Sequence, residues 1–199
     1  MAVAYDIKAI PTVYGARQFR SRLEAKWASF FHEAGWQFEY EPFDLGEWSP
    51  DFLLRGRTQV LVEVKPLTAF DEETGAKMAR AATASRWDGE LLLVGVAPLF
   101  ASDEPKGFHW SCGIGWLGEL DFDVLDEGTG YLTASGNFSF DPCAACIAPN
   151  GSLDFHSNTM SYAGRMFGAP YKENDRPPGA DWLKRIWDRA ANRVQWHKK

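Results

Sequence analysis

The stretch Pro50 to Pro66, PDFLLRGRTQVLVEVKP, decides how the chain is read. Two apolar, β-rich runs flank a short glycine-containing link. Phe52-Leu53-Leu54 precedes Arg55-Gly56-Arg57, and Val60-Leu61-Val62-Glu63-Val64-Lys65 follows. Such runs around a link of that length predict a β-hairpin. Side chains alternate along a strand, so Leu61, Glu63 and Lys65 share one face while Val60, Val62 and Val64 take the other. By the same rule Asp51 and Leu53 share a face of the first strand. Pairing across the hairpin then brings Asp51, Glu63 and Lys65 to one end of a small sheet.

Burying two carboxylates and an ammonium on apolar strands is costly unless they pair or hold a cation. Two acidic groups beside a lysine suit a hard ion such as Mg²⁺ or Mn²⁺. An ion there polarises a phosphoryl group and lowers the pKa of a bound water, while the lysine compensates charge in the transition state. Taken alone, Glu63-Val64-Lys65 reads as an ion pair on the solvated face of an edge strand. The Pro-Asp at hairpin spacing turns the reading toward a site.

Pro50-Asp51, eleven intervening residues and then Glu63-Val64-Lys65 resembles the motif of the PD-(D/E)XK nuclease superfamily. The text from Gln18 to Pro66 is similar to small phage-type nucleases and to the endonuclease subunit of some cut-and-paste transposases. The resemblance covers about the first half of the chain, and the motif is short enough to need its structural context. It implies a restriction-endonuclease-like fold and a metal-dependent phosphodiesterase acting on nucleic acid, most often DNA. It further implies that Asp51 and Glu63 ligate the metal, that Lys65 positions water or stabilises the developing charge, and that Glu24 supports the metal shell.

Upstream, Ala16 to Ala34 reads as an amphipathic helix ended by Gly35. At about 100° per residue, Phe19, Leu23, Trp27, Phe30, Phe31 and Ala34 form a continuous apolar arc with Glu24 at its edge. Arg20 and Arg17 precede Glu24 on the same side. Arg20 reads as an i,i+4 pair with Glu24, or both arginines read as phosphate-binding groups beside an inward-facing carboxylate.

Gln37 to Phe43 alternates as a strand does. Asp71 to Ser85 is alanine-rich and predicts a second helix, and Glu90 to Val96 is a buried strand of parallel type. The order becomes αβββαβ, an α/β core with a mixed sheet over residues 14–98, preceded by a flexible lead-in over 1–13. Lys77 and Arg80 fit a solvated helix face as well as a cleft wall and stay outside the catalytic set.

Residues 99–178 are rich in Gly, Asp and aromatics and predict a less regular, β-rich elaboration. Gly107 to Trp110 and Gly113 to Leu120 read as short strands with tight turns. Cys143 and Cys146 form a CxxC, and Cys112, His109 and His156 are candidate further ligands. A structural zinc needs four such groups, and no second CxxC is present, so packed thiols stand as the alternative. Tyr171 to Gly179 reads as a linker. Residues 179–199 predict a basic amphipathic helix with Trp182, Ile186, Ala190 and Val194 on one face. Residues 181–199 hold six Lys or Arg against two Asp. That helix either steers nucleic acid or simply docks.

Apolar content of 45% and aromatic content of 15% place the chain among packed globular proteins. No apolar run approaches a membrane span and no signal peptide is evident, so no membrane partner is expected. Three cysteines do not suggest a disulfide framework, and a cytoplasmic location is expected. A net charge of −6 disfavours a sequence-blind nucleic-acid coat protein without excluding an enzyme with local basic groups. The alternatives to a free-standing nuclease are a catalytically silent module that binds nucleic acid or protein, and a subunit active only with a recombination or transposition partner. A homodimer is open as well.

Overall fold

The computed structural model describes residues 9–100, 112–123, 133–157, 163–168 and 180–194. In order these form β1 (Thr12–Tyr14), β2 (Arg17–Phe19), α1 (Arg22–Glu33), β3 (Phe38–Tyr40), β4 (Phe52–Arg55), β5 (Gln59–Val64) and α2 (Glu72–Ala84). Then come β6 (Glu90–Val94), β7 (Leu99–Phe100), β8 (Cys112–Asp123), β9 (Thr133–Ile147), β10 (Leu153–His156) and α3 (Ala180–Arg193). The class is mixed α/β. The expected αβββαβ succession is present as α1 to β6.

The hairpin forms where the sequence places it. β4 and β5 pair antiparallel with Phe52 opposite Val62, and β5 runs parallel to β6 with Glu63 opposite Leu93. The eight-stranded sheet has the order β10-β9-β8-β6-β5-β4-β3, with β7 pairing β8. The parallel β5–β6 pair is joined through α2, as parallel neighbours require.

Strand alternation divides the core in two. Phe52, Leu54, Val60, Val62 and Val64 face the layer built by α1 and α3. Leu53, Leu61, Leu91 and Leu93 face α2, packing with Met78, Ala81 and Ala82. Each fully buried aliphatic side chain contributes about 1.5–3 kcal/mol, so a one-residue slip of β5 would invert both layers. Glu63 shares the α2 side with Leu61 and sits where β5 ends.

The first helix starts later than its apolar arc suggested. Gly15, at φ +60°, turns β1 into β2, pairing Tyr14 with Arg17. Ser21 then caps α1, its hydroxyl accepting from the Glu24 N–H at 3.1 Å. Arg17 and Arg20 therefore precede the helix, and part of the expected lead-in is strand β1. At the other end Gly35, at φ +73°, closes the helix with Gly35 N–H to His32 and Trp36 N–H to Phe31, a Schellman arrangement.

The second half of the chain also departs from expectation. Gly113 to Leu120 is no set of tight turns but the first part of one long strand, β8, paired with β9. Its glycines serve close approach. A Cβ at Gly115 would stand 2.3 Å from the Leu93 carbonyl, and one at Gly118 would stand 2.7 Å from the Phe140 ring. The described part of 99–178 thus extends the central sheet. The Gly107–Trp110 strand, His109 and the Tyr171–Gly179 linker lie outside the described residues.

Helix α3 buries Leu183, Ile186, Trp187 and Ala190 on the side of α1, with the Trp187 ring 4.8 Å from that of Trp27 and tilted 49° to it. Arg189 and Arg193 both reach Glu33, at 3.4 and 2.6 Å, so two of its basic residues are used in docking.

Candidate active site

The start of β4, the end of β5 and the start of α1 meet at one end of the sheet's inner strands, and four predicted residues meet there with them. Asp51 is locked first. Its N–H donates to the Val62 carbonyl, its carbonyl accepts from Glu41, and its Oδ2 accepts the Val64 N–H at 2.8 Å. The proline before it has no N–H to satisfy and leads the chain directly into the hairpin. Oδ1 receives the Arg20 Nη2.

Glu63, also buried, accepts from the Trp48 indole at 2.7 Å through Oε2 and pairs with Lys65 Nζ at 2.6 Å through Oε1. Lys65 itself is half-exposed, with its ammonium at the surface end of the cluster. Glu24 enters from α1. It accepts from the Tyr40 hydroxyl at 2.6 Å and from the Arg20 backbone N–H at 3.2 Å. A capping-box glutamate normally reaches back to the N-cap N–H. Here the carboxylate passes the cap and turns to the strand ends.

The electrostatics follow from this crowding. Burial pushes the Asp51 carboxyl up to about 7, and the charges of Glu63 and Glu24 add to it, while the Val64 N–H and Arg20 oppose. For Lys65, burial works against the charge, but the Glu63 and Asp51 carboxylates outweigh it and raise its pKa. Arg20 is likewise raised: burial opposes its charge, and Asp51, Glu24 and Glu41 overcome that opposition. Burial and the bond to Glu24 hold the Tyr40 phenol up at about 12, keeping it a donor.

A hard divalent cation fits these groups. Each bound oxygen of Asp51 and Glu63 accepts one hydrogen bond or ion pair and retains a further lone pair. Two mutually repelling buried carboxylates are also the pair a cation would relieve. Among the described residues no group of three or more His, Cys, Asp or Glu side chains is arranged to hold a metal. A cation between Asp51 and Glu63 would thus complete its shell from water or substrate oxygens, which Mg²⁺ commonly retains. Glu24 is already engaged by the Tyr40 hydroxyl and the Arg20 N–H, so it would support such a shell rather than lead it.

The remaining candidates are placed as follows. Arg17 is exposed on β2, its guanidinium 5.9 Å over the Tyr40 ring. Arg20 lies in the cluster. Arg80 is exposed on α2, 3.5 Å from Glu47. The zinc candidates are not brought to one point. Cys143 and Cys146 lie three apart on β9, which turns them to opposite faces of the sheet. Cys143 and Cys112 are buried in the core layer under α1 and α3. His156, on β10 opposite Ala144, engages the Ser157 carbonyl through Nδ1 at 2.6 Å. Burial pushes the Cys143 thiol up to about 11 and the His156 imidazole down.

Three residues of the site escaped the sequence. Trp48, Tyr40 and Glu41 supply the indole donor, the phenol donor and a third carboxylate near Arg20. Only Trp48 carried a local signal, as a tryptophan two residues before the Pro-Asp. A second buried charge centre was also unseen: Arg165 reaches Glu90 through Nε at 2.7 Å and Glu119 through Nη2. It ties the 163–168 segment to β6 and β8.

No family model, no curated protein and no solved structure matches the chain.

Proposed function

We propose that this protein is a Mg²⁺-dependent nuclease of the PD-(D/E)XK type with a restriction-endonuclease-like core, hydrolysing phosphodiester bonds in DNA. The observation that carries the reading is the meeting of Glu24, Asp51, Glu63 and Lys65 at the ends of β4 and β5, joined by direct contacts to Arg20, Tyr40 and Trp48. Structural ion pairs alone explain neighbouring charges. They do not explain two buried carboxylates held close enough to raise one of them.

In this reading Asp51 and Glu63 hold the divalent cation, with Val64 N–H and Trp48 fixing the two carboxylates in place. The cation supplies Lewis-acid polarisation of the phosphoryl group and a more acidic water. Lys65, kept cationic by Glu63 and Asp51, sits at the open side of the cluster to meet the charge that builds on the non-bridging oxygens. Glu24 and Tyr40 hold the Arg20 main chain, so the guanidinium is presented where a phosphate approaches.

The test is cleavage of supercoiled plasmid in Mg²⁺ or Mn²⁺, blocked by chelator and lost in Asp51→Asn, Glu63→Gln and Lys65→Ala. Undiminished cutting by Asp51→Asn overturns the assignment. A second reading, a subunit active only with a recombination or transposition partner, is favoured by one observation: Arg189 and Arg193 are consumed by Glu33 on an acidic protein. Cutting that begins only when a partner is added would select it.

A further inference from the structure

We propose that Arg20 is a built-in competitor of the divalent cation: its guanidinium and the metal take turns at Oδ1 of Asp51. The inference rests on the metallonuclease reading above and adds its regulation.

Asp51 offers two oxygens, and Oδ2 is committed to the Val64 N–H inside the sheet. Oδ1 is therefore the oxygen turned toward any ligand, and Arg20 Nη2 contacts it. Arg20 reaches three carboxylates, one on α1 and one from each end of the segment between β3 and β4. Its Nε stands 2.9 Å from Glu41 Oε1 and 3.8 Å from Glu24 Oε2, in addition to the Asp51 contact. Lys65 is bonded to Glu63 instead, so the two fixed cations divide the two buried carboxylates between them.

The main chain and side chain of Arg20 are held very differently. Its backbone N–H is shared between Glu24 Oε2 and the Tyr40 hydroxyl, directly ahead of the Ser21 cap. The side chain is 55% exposed and can rotate without disturbing that anchor. Glu41 gives it somewhere to go. That residue is held at φ +47°, a conformation that non-glycine side chains seldom adopt, and its N–H donates to the Asp51 carbonyl at 2.9 Å. Its carboxylate is thereby kept beside Arg20 but outside the buried pair.

Two cations contesting one carboxylate oxygen must weaken each other, and the effect is reciprocal. A phosphate that draws the guanidinium fork off Asp51 removes the competitor, since arginine binds phosphate oxygens through the same fork. Metal and nucleic acid then load together, and the site alone binds metal less tightly than its carboxylates would allow.

The experiment measures Mn²⁺ affinity by the electron paramagnetic resonance of free Mn²⁺, without nucleic acid, on the wild-type protein and three variants. Arg20→Gln is expected to bind about tenfold more tightly than wild type. Arg22→Gln removes the same charge from an exposed position on α1 and is expected to leave the affinity within about twofold, because distant exposed charges are screened. Arg20→Lys keeps the charge and is expected to fall between wild type and Arg20→Gln; it carries the test should the glutamine variant fail to fold. Equal or weaker affinity in Arg20→Gln overturns the competition while leaving the metal site in place. An equal gain in Arg22→Gln overturns it too, as a general charge effect. Absence of Mn²⁺ binding in every protein overturns both this inference and the metallonuclease reading.

Discussion

Asp51→Asn is expected to stabilise the protein in divalent-free buffer above neutral pH, although it removes a group of the proposed active site. Burial together with Glu63 and Glu24 lifts the Asp51 carboxyl from 3.8 to about 7. Roughly three decades of proton affinity, at about 1.4 kcal/mol each, set a ceiling of ~4 kcal/mol on the cost of ionising it in the fold. The native value lies above the unfolded one. Its contribution to stability is therefore complete below pH ~4 and is lost as the pH rises to about 7. Asparagine keeps an acceptor for the Val64 N–H but makes a weaker bond to Arg20, which returns about 1 kcal/mol of the gain. The variant should thus exceed wild type by ~2–3 kcal/mol at pH 8, and match or fall slightly below it near pH 4. Urea denaturation at several pH values reads this difference, provided the slope m is unchanged. Added Mg²⁺ at about a hundred times its Kd should restore ~2.7 kcal/mol to wild type and nothing to the variant. A difference between the two proteins that does not vary with pH refutes the reasoning.

Lys65→Ala should abolish Mg²⁺-dependent plasmid cleavage while leaving the melting temperature within a few degrees, since its ammonium is half-exposed; a cleaving variant would remove Lys65 from the chemistry. Trp48→Phe deprives Glu63 Oε2 of its indole donor and is expected to cost ~1–3 kcal/mol, read as a lower urea midpoint. An unchanged midpoint would show the bond to be idle. Arg165→Met leaves Glu90 and Glu119 buried without their shared cation and should cost ~3–5 kcal/mol at pH 7, less at pH 5 as those carboxyls, raised by burial, protonate. A pH-independent loss would contradict it. Gly115→Ala drives a methyl into the Leu93 carbonyl and should destabilise the β6–β8 pairing by about 1–3 kcal/mol or prevent folding; a neutral result would mean the strands part freely.

What the sequence disclosed and what it hid divide along physical lines. The hairpin and its two faces were legible because a period of two, with valines on one side and Leu61, Glu63 and Lys65 on the other, admits one burial pattern. The site followed from that register, since strand pairing carries Asp51 to the end of β5. The start of α1 was misjudged because Phe19 happens to extend the apolar arc of the helix. The decisive signal was Ser21 with Glu24 three residues later, a cap that ends the strand of Arg17–Phe19. In β8 the glycines imitated turns, and only the neighbouring strand shows that they make room for the Leu93 carbonyl and Phe140. The apolar face of α3 was legible in large part: Ile186, Ala190 and Val194 are buried and Trp182 packs against the same core, while the buried Leu183 and Trp187 widen that face beyond the expected line.

Long-range polar pairs were invisible for a different reason. Arg165 meets Glu90 and Glu119 across 75 and 46 residues of sequence, and no local pattern marks such a partnership. The same holds for Arg20 and Asp51, 31 residues apart. Local spacing named the carboxylates and Lys65, but Arg20 as the partner of Asp51, and Arg165 as that of Glu90 and Glu119, come from where the fold returns the chain. The CxxC shows the converse, because its spacing acquires meaning only with a backbone. A turn brings two such thiols together, and the extended strand β9 turns them apart.

Crystals soaked in Mn²⁺ and measured at the manganese edge address the central claim most directly. The expected result is an anomalous peak between the carboxylates of Asp51 and Glu63, with the Arg20 guanidinium moved toward Glu41. A well-occupied peak elsewhere, or none at those strand ends while Asp51 and Glu63 stay bound to Arg20 and Lys65, would contradict it.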